Sequence, residues 1–181
     1  MRIVGGEARG RALRAVPGKS TRPTADRVRQ SLFDVLGQRM DGLAVLDLYA
    51  GTGALALEAL SRGAGRAFLV EKDERAFEVM FQNVEELGFS GRCTLLREEV
   101  SKELPRLRGQ QFDLIFSDPP YRLHAAQSTI ADLSANNLVA RRGRVVLEMG
   151  KREEMPACPA GLAIIDERRY GDTRIVVLRA E

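Results

Sequence analysis

The chain has 181 residues, a formal net charge of +3, 44% hydrophobic and 29% charged residues, two cysteines and one histidine. That length suits one hydrophobic core and is short for two domains, and the composition is globular, with no low-complexity tract, internal repeat or charged tail. Cys93 and Cys158 lie far apart with no partners at metal-ligand spacing, and no apolar run has signal or membrane-spanning length, so the reading is a soluble, non-secreted, cytoplasmic protein with no metal site, disulfide framework or membrane segment.

The excess positive charge lies at the front: residues 1–40 hold nine Arg or Lys against Glu7, Asp26 and Asp34, a net of +6, and the remainder nets −3. Most of it is arginine, which grips phosphate through a planar fork, so either a polyanion partner or a solvated basic face accounts for it. Glycines in "GGEARGR" permit a small hairpin between Arg2–Val4 and Ala12–Val16, with Arg9 and Arg11 placed to meet phosphate; so small a hairpin is expected to be mobile until a partner orders it. Thr24 as cap and the apolar positions Val28, Leu32, Phe33, Val35 and Leu36 predict a helix to about Met40.

Strand-like and helical patterns then alternate. "LAVLDLY", "RAFLVE", "CTLLR", "FDLIFSD" and "GRVVLEM" read as strands, and Ala54–Arg62, Glu74–Leu87, Ser101–Leu107 and Ala125–Leu138 as helices. Unbroken apolar strands in a βαβα rhythm predict an α/β fold whose parallel sheet carries helices on both faces. "LAIIDERRY" and "TRIVVLRA", separated by Gly171-Asp172, predict an antiparallel C-terminal hairpin, seven strands in all. The expected organisation is a basic extension over residues 1–23 and a catalytic domain over 24–181.

Two stretches carry chemistry. In "VLDLYAGTGALALEAL" the Gly51-Thr52-Gly53 turn stands between strand and helix, where a ligand can approach the backbone and meet oriented N–H groups, and Glu71 ends the next strand 20 residues after Gly51, the spacing of an acid that reaches ribose hydroxyls. Asp47, four residues before Gly51, suits a sulfonium and an ammonium better than a pyrophosphate and points to S-adenosyl-L-methionine over a dinucleotide; it could equally cap a loop. Glu98 or Glu99, after the third strand, could accept from an adenine amine or simply begin a solvated helix.

The second stretch is "SDPPY". Two prolines end the strand and start a stiff turn, leaving the Asp118 carboxylate and the Pro119 carbonyl to accept the two N–H bonds of an exocyclic amine and aim its lone pair, while Tyr121 stacks on the base. The plainer reading is a rigid turn after a strand. Ligands of open parallel sheets sit at the switch point, which would bring this turn to the glycine loop.

With these residues the chain resembles the Rossmann-type (class I) amino-methyltransferases carrying an (Asp/Asn)-Pro-Pro-(Tyr/Phe) signature. More closely it is similar to the bacterial RsmD family through "MRIVGGEARGRAL", "TRPTADRVRQSLFDVL", "VLDLYAGTGALALEALSRGA", "VEKD", "FDLIFSDPPY" and "YGDTR". The resemblance implies a methyltransferase acting on the N2 amine of a guanine in small-subunit (16S) ribosomal RNA, within a ribonucleoprotein particle and as a monomer. It also implies that Asp118, Pro119 and Tyr121 hold the amine, that Asp47, Gly51, Gly53 and Glu71 hold S-adenosylmethionine, and that Arg22, Thr24 and Arg27 lie near the cofactor and RNA entrance. Where the family often has Gly-Asp or Ala-Asp, this chain has Glu98-Glu99.

His124 reads as a surface or capping residue, Cys93 as core, and Phe77, Met80 and Phe81 as core at helical spacing. Two rivals remain open: an adenine-N6 or other amine methyltransferase acting on DNA or another RNA, and a non-catalytic RNA-binding assembly protein. The absence of a target-recognition domain weighs against the first, and the intact Asp118 and glycine loop weigh against the second.

Overall fold

The computed structural model describes residues 1–18, 23–119 and 125–181. After an N-terminal turn of chain comes α1 (Pro23–Leu36), then β1 (Ala44–Leu48), α2 (Ala54–Ser61), β2 (Arg66–Val70), α3 (Glu74–Leu87), β3 (Cys93–Leu96), α4 (Val100–Glu103), β4 (Phe112–Ser117), α5 (Ala126–Ala135), β5 (Val139–Gly150), β6 (Leu162–Tyr170) and β7 (Thr173–Ala180). The strands form one seven-stranded sheet in the order β3-β2-β1-β4-β5-β7-β6. β3, β2, β1, β4 and β5 pair in parallel, while β7 runs antiparallel to both β5 and β6.

Burial on both faces explains the apolar runs. Every residue of β1 is buried, and so are Leu114, Ile115 and Phe116 of β4. Leu114, Phe116 and Val146 pack with Leu32, Phe33, Leu57 and Met80 of α1, α2 and α3, whereas Ile115 and Leu147 pack with Leu104 and with Ile130 of α5. The expected sheet, hairpin and two helical layers are all present.

The boundaries differ where local chemistry intervenes. α1 begins at Pro23, a residue suited to the first turn, ahead of the expected Thr24 cap, and it ends before Gly37, whose φ of 97° only glycine adopts readily. The expected helix over 101–107 is a single α turn followed by a 3-10 turn over Leu104–Leu107 that contains Pro105. α5 stops at Ala135, followed by the capping Asn136 and by Asn137 at a φ of 52°, so β5 starts earlier than expected. Phe81 is 46% exposed and is not core; Met80 is fully buried and Phe77 partly so.

The N-terminal segment, expected to be mobile without a partner, is docked. Arg2 bridges Ala12, Ile3 is fully buried in the main core, and the turn at residues 5–8 is held on the end of α2: Glu7 N donates to the Ser61 carbonyl (2.7 Å), Ala8 N to Ser61 Oγ (2.9 Å), and Ser61 Oγ to the Gly5 carbonyl (2.6 Å). A Cβ at Gly6 would lie 1.8 Å from the Ser61 carbonyl oxygen, so only glycine permits this approach. Beneath it Glu58, with no exposed surface, accepts from Val4 N (2.8 Å) and Arg62 Nε (2.8 Å) and stands 3.5 Å from Arg29 Nε. Arg29 also donates to the Arg2 carbonyl and to Asp26, and Arg62 lies over the Phe33 ring. One buried carboxylate thus joins the N-terminal segment, α1 and α2.

Removing it leaves the buried Arg62 guanidinium without a carboxylate and Arg29 with Asp26 alone. Glu58→Ala should cost about 3–5 kcal/mol of unfolding free energy in a denaturant titration. A loss under about 1 kcal/mol would mean that water reaches the cluster.

Candidate active site

Parallel β1 and β4 end side by side, with Leu48 opposite Ser117, and the chain leaves each strand at the same sheet edge. After β1 the backbone turns sharply: Tyr49 has a φ of 61°, Gly51 58° and Gly53 79°. Glycine meets that demand without strain at two of these positions, and a bulky residue held there at Tyr49 marks a constrained loop. A Cβ on Gly53 would stand 3.1–3.3 Å from Leu69, Met80 and Leu57, so the third loop residue is also fixed by helix packing.

Glu71, at the end of β2, braces this loop. Its Oε2 accepts from Gly51 N at 2.8 Å and its Oε1 from Asp73 N at 2.8 Å, leaving each oxygen a further lone pair for a hydroxyl. Asp47 is buried on the α1 and α2 side of β1 and accepts from Ala56 N at 3.1 Å. It therefore does hold the start of α2, as the plainer reading required. Burial, with the like charge of Glu71 adding to it, outweighs that hydrogen bond and pushes the Asp47 pKa up to about 7. A sulfonium or an ammonium beside it would favour the ionised form.

Asp118 and the buried Pro119 follow β4 directly. Asp118 is exposed to the cleft and walled by protein elsewhere; loss of water, then the Glu148 and Asp47 carboxylates, raise its pKa well above the carboxylate range. Because cleft water still meets the side chain, the like charges are the more durable cause. Asp47, Gly51, Thr52, Asp118 and Glu148 line one cleft of about 860 Å³, within the usual size of small-molecule sites. Its opposite wall comes from Val28, Arg29 and Leu32 of α1 and from the turn between β6 and β7. Ser117 also lines it, with a buried hydroxyl that has no hydrogen-bond partner.

Other expected residues lie elsewhere. Glu99 is half-buried near the end of β3, paired with Lys72 at 3.6 Å and Lys102 at 3.3 Å, while Glu98 engages Lys102 and Arg106. Arg9 is exposed on the N-terminal turn, and Arg11 donates to the Glu86 carbonyl in the last turn of α3. Since α3 starts at the cleft edge and runs about 21 Å away from it, these two arginines lie toward the opposite end of the sheet. Arg27 is exposed on α1, one residue before the cleft-lining Val28. Tyr121, Arg22, Pro120, His124, Lys19 and the Thr24 side chain lie outside the described residues. Among the described residues no group of three or more His, Cys, Asp or Glu side chains gathers as a metal site, and no helix is long and apolar enough to cross a membrane.

Reading the sequence missed Asn83, Glu148 and Tyr49. Asn83, buried in the middle of α3, donates from Nδ2 to the Thr52 carbonyl (3.0 Å) and the Arg14 carbonyl (3.2 Å) and accepts from Arg14 N (2.7 Å). One amide therefore ties the glycine loop to the N-terminal segment. A polar residue between Met80 and Val84 was the available signal.

Two outcomes follow. Asp47 has a folded pKa raised from 3.8 to about 7, so between these values the folded state keeps a proton that the unfolded chain has released, and stability falls as pH rises through that window. Asp47→Asn should remove that decline, so its stability relative to wild type should be greatest at about pH 8 and shrink steadily as pH falls toward about 4, while cofactor binding weakens about tenfold or more in calorimetry. A variant that tracks wild type at both pH values would show that the charge is compensated. Asn83→Ala leaves buried carbonyls and an amide unpaired and should weaken cofactor binding by roughly 5- to 30-fold, with a lowered melting temperature; unchanged affinity would uncouple the loop from α3.

A family model described as "Conserved hypothetical protein 95" matches residues 1–179. The chain is 33% identical to ribosomal RNA small subunit methyltransferase D of Escherichia coli (strain K12), over 94% of this chain and 85% of that one. It is 32% identical to YlbH of Bacillus subtilis (strain 168), over 99% and 98%. Its structure matches that of yhhF from Escherichia coli with a TM-score of 0.89 and 31% identity, covering 100% of this chain and 98% of that one. The parallel sheet with its antiparallel C-terminal pair is the class I methyltransferase fold, and the chain belongs to the family described as conserved hypothetical protein 95, the RsmD family.

Proposed function

We propose that the protein transfers a methyl group from S-adenosylmethionine to the exocyclic N2 amine of a guanine in small-subunit ribosomal RNA, within a ribonucleoprotein particle, as a monomer in the cytoplasm. The carrying observation is the meeting of Asp118 and Pro119 with the Gly51 loop and Asp47 at one sheet edge. Relatives named for methylation of small-subunit ribosomal RNA support the substrate class.

When bound, S-adenosylmethionine supplies an electrophilic methyl group on a cationic sulfur. Asp47 balances that positive charge, the Gly51 and Gly53 backbone lets the ligand approach closely, and the remaining lone pairs of Glu71 suit ribose hydroxyls. Glu99 belongs on the adenine side, with its lysine pairs as competitors. On the acceptor side, the Asp118 carboxylate and the Pro119 carbonyl take the two amine N–H bonds. This leaves the nitrogen lone pair, otherwise delocalised into the ring, free to form the new N–C bond, and Asp118 takes the proton that the nitrogen then releases. Tyr121 would stack on the base.

Residues 24–181 carry the chemistry in this reading and residues 1–23 extend the RNA-facing surface. Arg27, beside the cleft, with Arg22 and Thr24, would meet phosphates near the target. Arg9 and Arg11 would meet more distant ones.

Asp118→Ala should lower single-turnover methyl transfer by about 10²-fold or more with calorimetric cofactor affinity little changed. Mapping modified nucleosides by mass spectrometry in ribosomal RNA from cells with and without the gene should show loss of one N2-methylguanine. A lost N6-methyladenine, or no lost methylation, would overturn the assignment.

A further inference from the structure

The strand order lays the acids of the site out in a line. Crossing the sheet from β2 to β5, Glu71 is met first, then Asp47 with the Gly51 loop, then Asp118 and finally Glu148. β4 and β5 are parallel and in register, with Phe116 beside Val146 and Ser117 beside Leu147. Asp118 and Glu148 each come one residue after that last pair, Asp118 just beyond the end of β4 and Glu148 still within β5. Side chains alternate along a strand, so Glu148 falls on the face of β5 that holds Val146, and the Asp118 backbone leaves β4 beside it. Both line the cleft, and the Glu148 charge contributes to the raised pKa of Asp118, so the two carboxylates stand within electrostatic reach.

Position distinguishes their roles. The glycine loop lies on the β1 side of Asp118, and Glu148 lies on the β5 side, so a base whose amine meets Asp118 extends its ring toward Glu148. The amine-bearing bases differ in what stands next to the amine. In guanine, N2–H₂ stands between the N1–H donor on one side and bare N3 on the other; in adenine and cytosine the amine's one ring-nitrogen neighbour is a bare acceptor, so only guanine can present a second donor beside its amine. With both ionised beside bound donors, two carboxylates only accept, so they match two adjacent donors and repel a lone pair.

We infer that Glu148 accepts the N1–H of the target guanine while Asp118 accepts from its N2 amine, making Glu148 the residue that selects guanine over the other amine-bearing bases. This rests on the guanine-N2 reading above and gives it a structural reason. Removing a matched acceptor from a buried donor is the kind of change that discriminates strongly between close analogues.

The test uses the full-length protein and synthetic RNA spanning the mapped position, carrying either guanine or 2-aminopurine there. 2-Aminopurine keeps the N2 amine and has a bare N1. Wild type should prefer guanine by about 10²-fold in kcat/KM. In Glu148→Gln, whose amide can donate to a bare N1, and in Glu148→Ala, that preference should shrink to within about threefold, with calorimetric cofactor affinity unchanged. The discriminating readout is the ratio between the two RNAs, which a merely structural role would leave alone. If wild type methylates the mapped guanine and both variants keep its preference, the Glu148 assignment falls while the parent reading stands. If wild type methylates no guanine in ribosomal RNA, the parent reading falls and the Glu148 assignment with it.

Discussion

Parallel, in-register pairing of β2, β1, β4 and β5 is the constraint from which the site follows. Each of these strands carries an acid at or near its carboxyl end, and because the strands run the same way, Glu71, Asp47, Asp118 and Glu148 gather along one edge. Like charges at such separations repel, and burial of Asp47 adds to the cost; the outcome is a carboxyl with a pKa of about 7 beside another that is raised as well. A fold selected for stability alone would have no reason to keep this row. A ligand that brings positive charge to the β1 side and hydrogen-bond donors to the β5 side relieves both problems, so the strain is a description of what the cleft accepts.

The N-terminal segment, taken as a sequence, is a basic arm. In the fold it is a structural part of the cofactor side of the cleft. Its backbone is captured by Ser61 and Glu58 at α2 and by Asn83 at α3, and the same Asn83 amide holds the Thr52 carbonyl. Arg14, with its exposed partner Glu86, adds little to stability, and the apolar contacts of Ile3 and Leu13 carry the docking. Charge and anchoring are thus separated along one short segment: arginines face outward, and the backbone and aliphatic side chains face in.

How much of this was legible beforehand depends on the range of each interaction. The βαβα order, the α3 limits and the C-terminal hairpin were readable because periodicity and turn residues are local. Gly51, Glu71, Asp47 and Asp118 were readable because loops at strand ends advertise themselves. Glu148 was not, since it sits within an apolar strand and acquires meaning only from a register with a residue 30 positions earlier. The Glu58 cluster was hidden for the same reason: an acid inside "ALALEALS" reads as a polar helix position until Arg29 and Arg62 are brought to it. The expected mobility of the N-terminal segment failed because a small hairpin judged alone lacks a core, and α2 supplies one.

Both chain ends contribute the wall facing the acids, and this sets that wall apart from the βαβ units that carry the glycine loop. Ser31 of α1 meets the Tyr170 hydroxyl at 2.6 Å, joining the helix to the turn between β6 and β7, and Lys151 N donates to the Asp172 carbonyl to hold that turn on the end of β5. The glycine loop is fixed from within the first two βα units, by Glu71 after β2 and Asn83 in α3. The opposite wall depends on contacts spanning most of the chain. On the guanine-N2 reading, selection among RNA targets is expected to reside in α1 and the C-terminal turn, and selection of the base in the neighbouring carboxyl ends of β4 and β5.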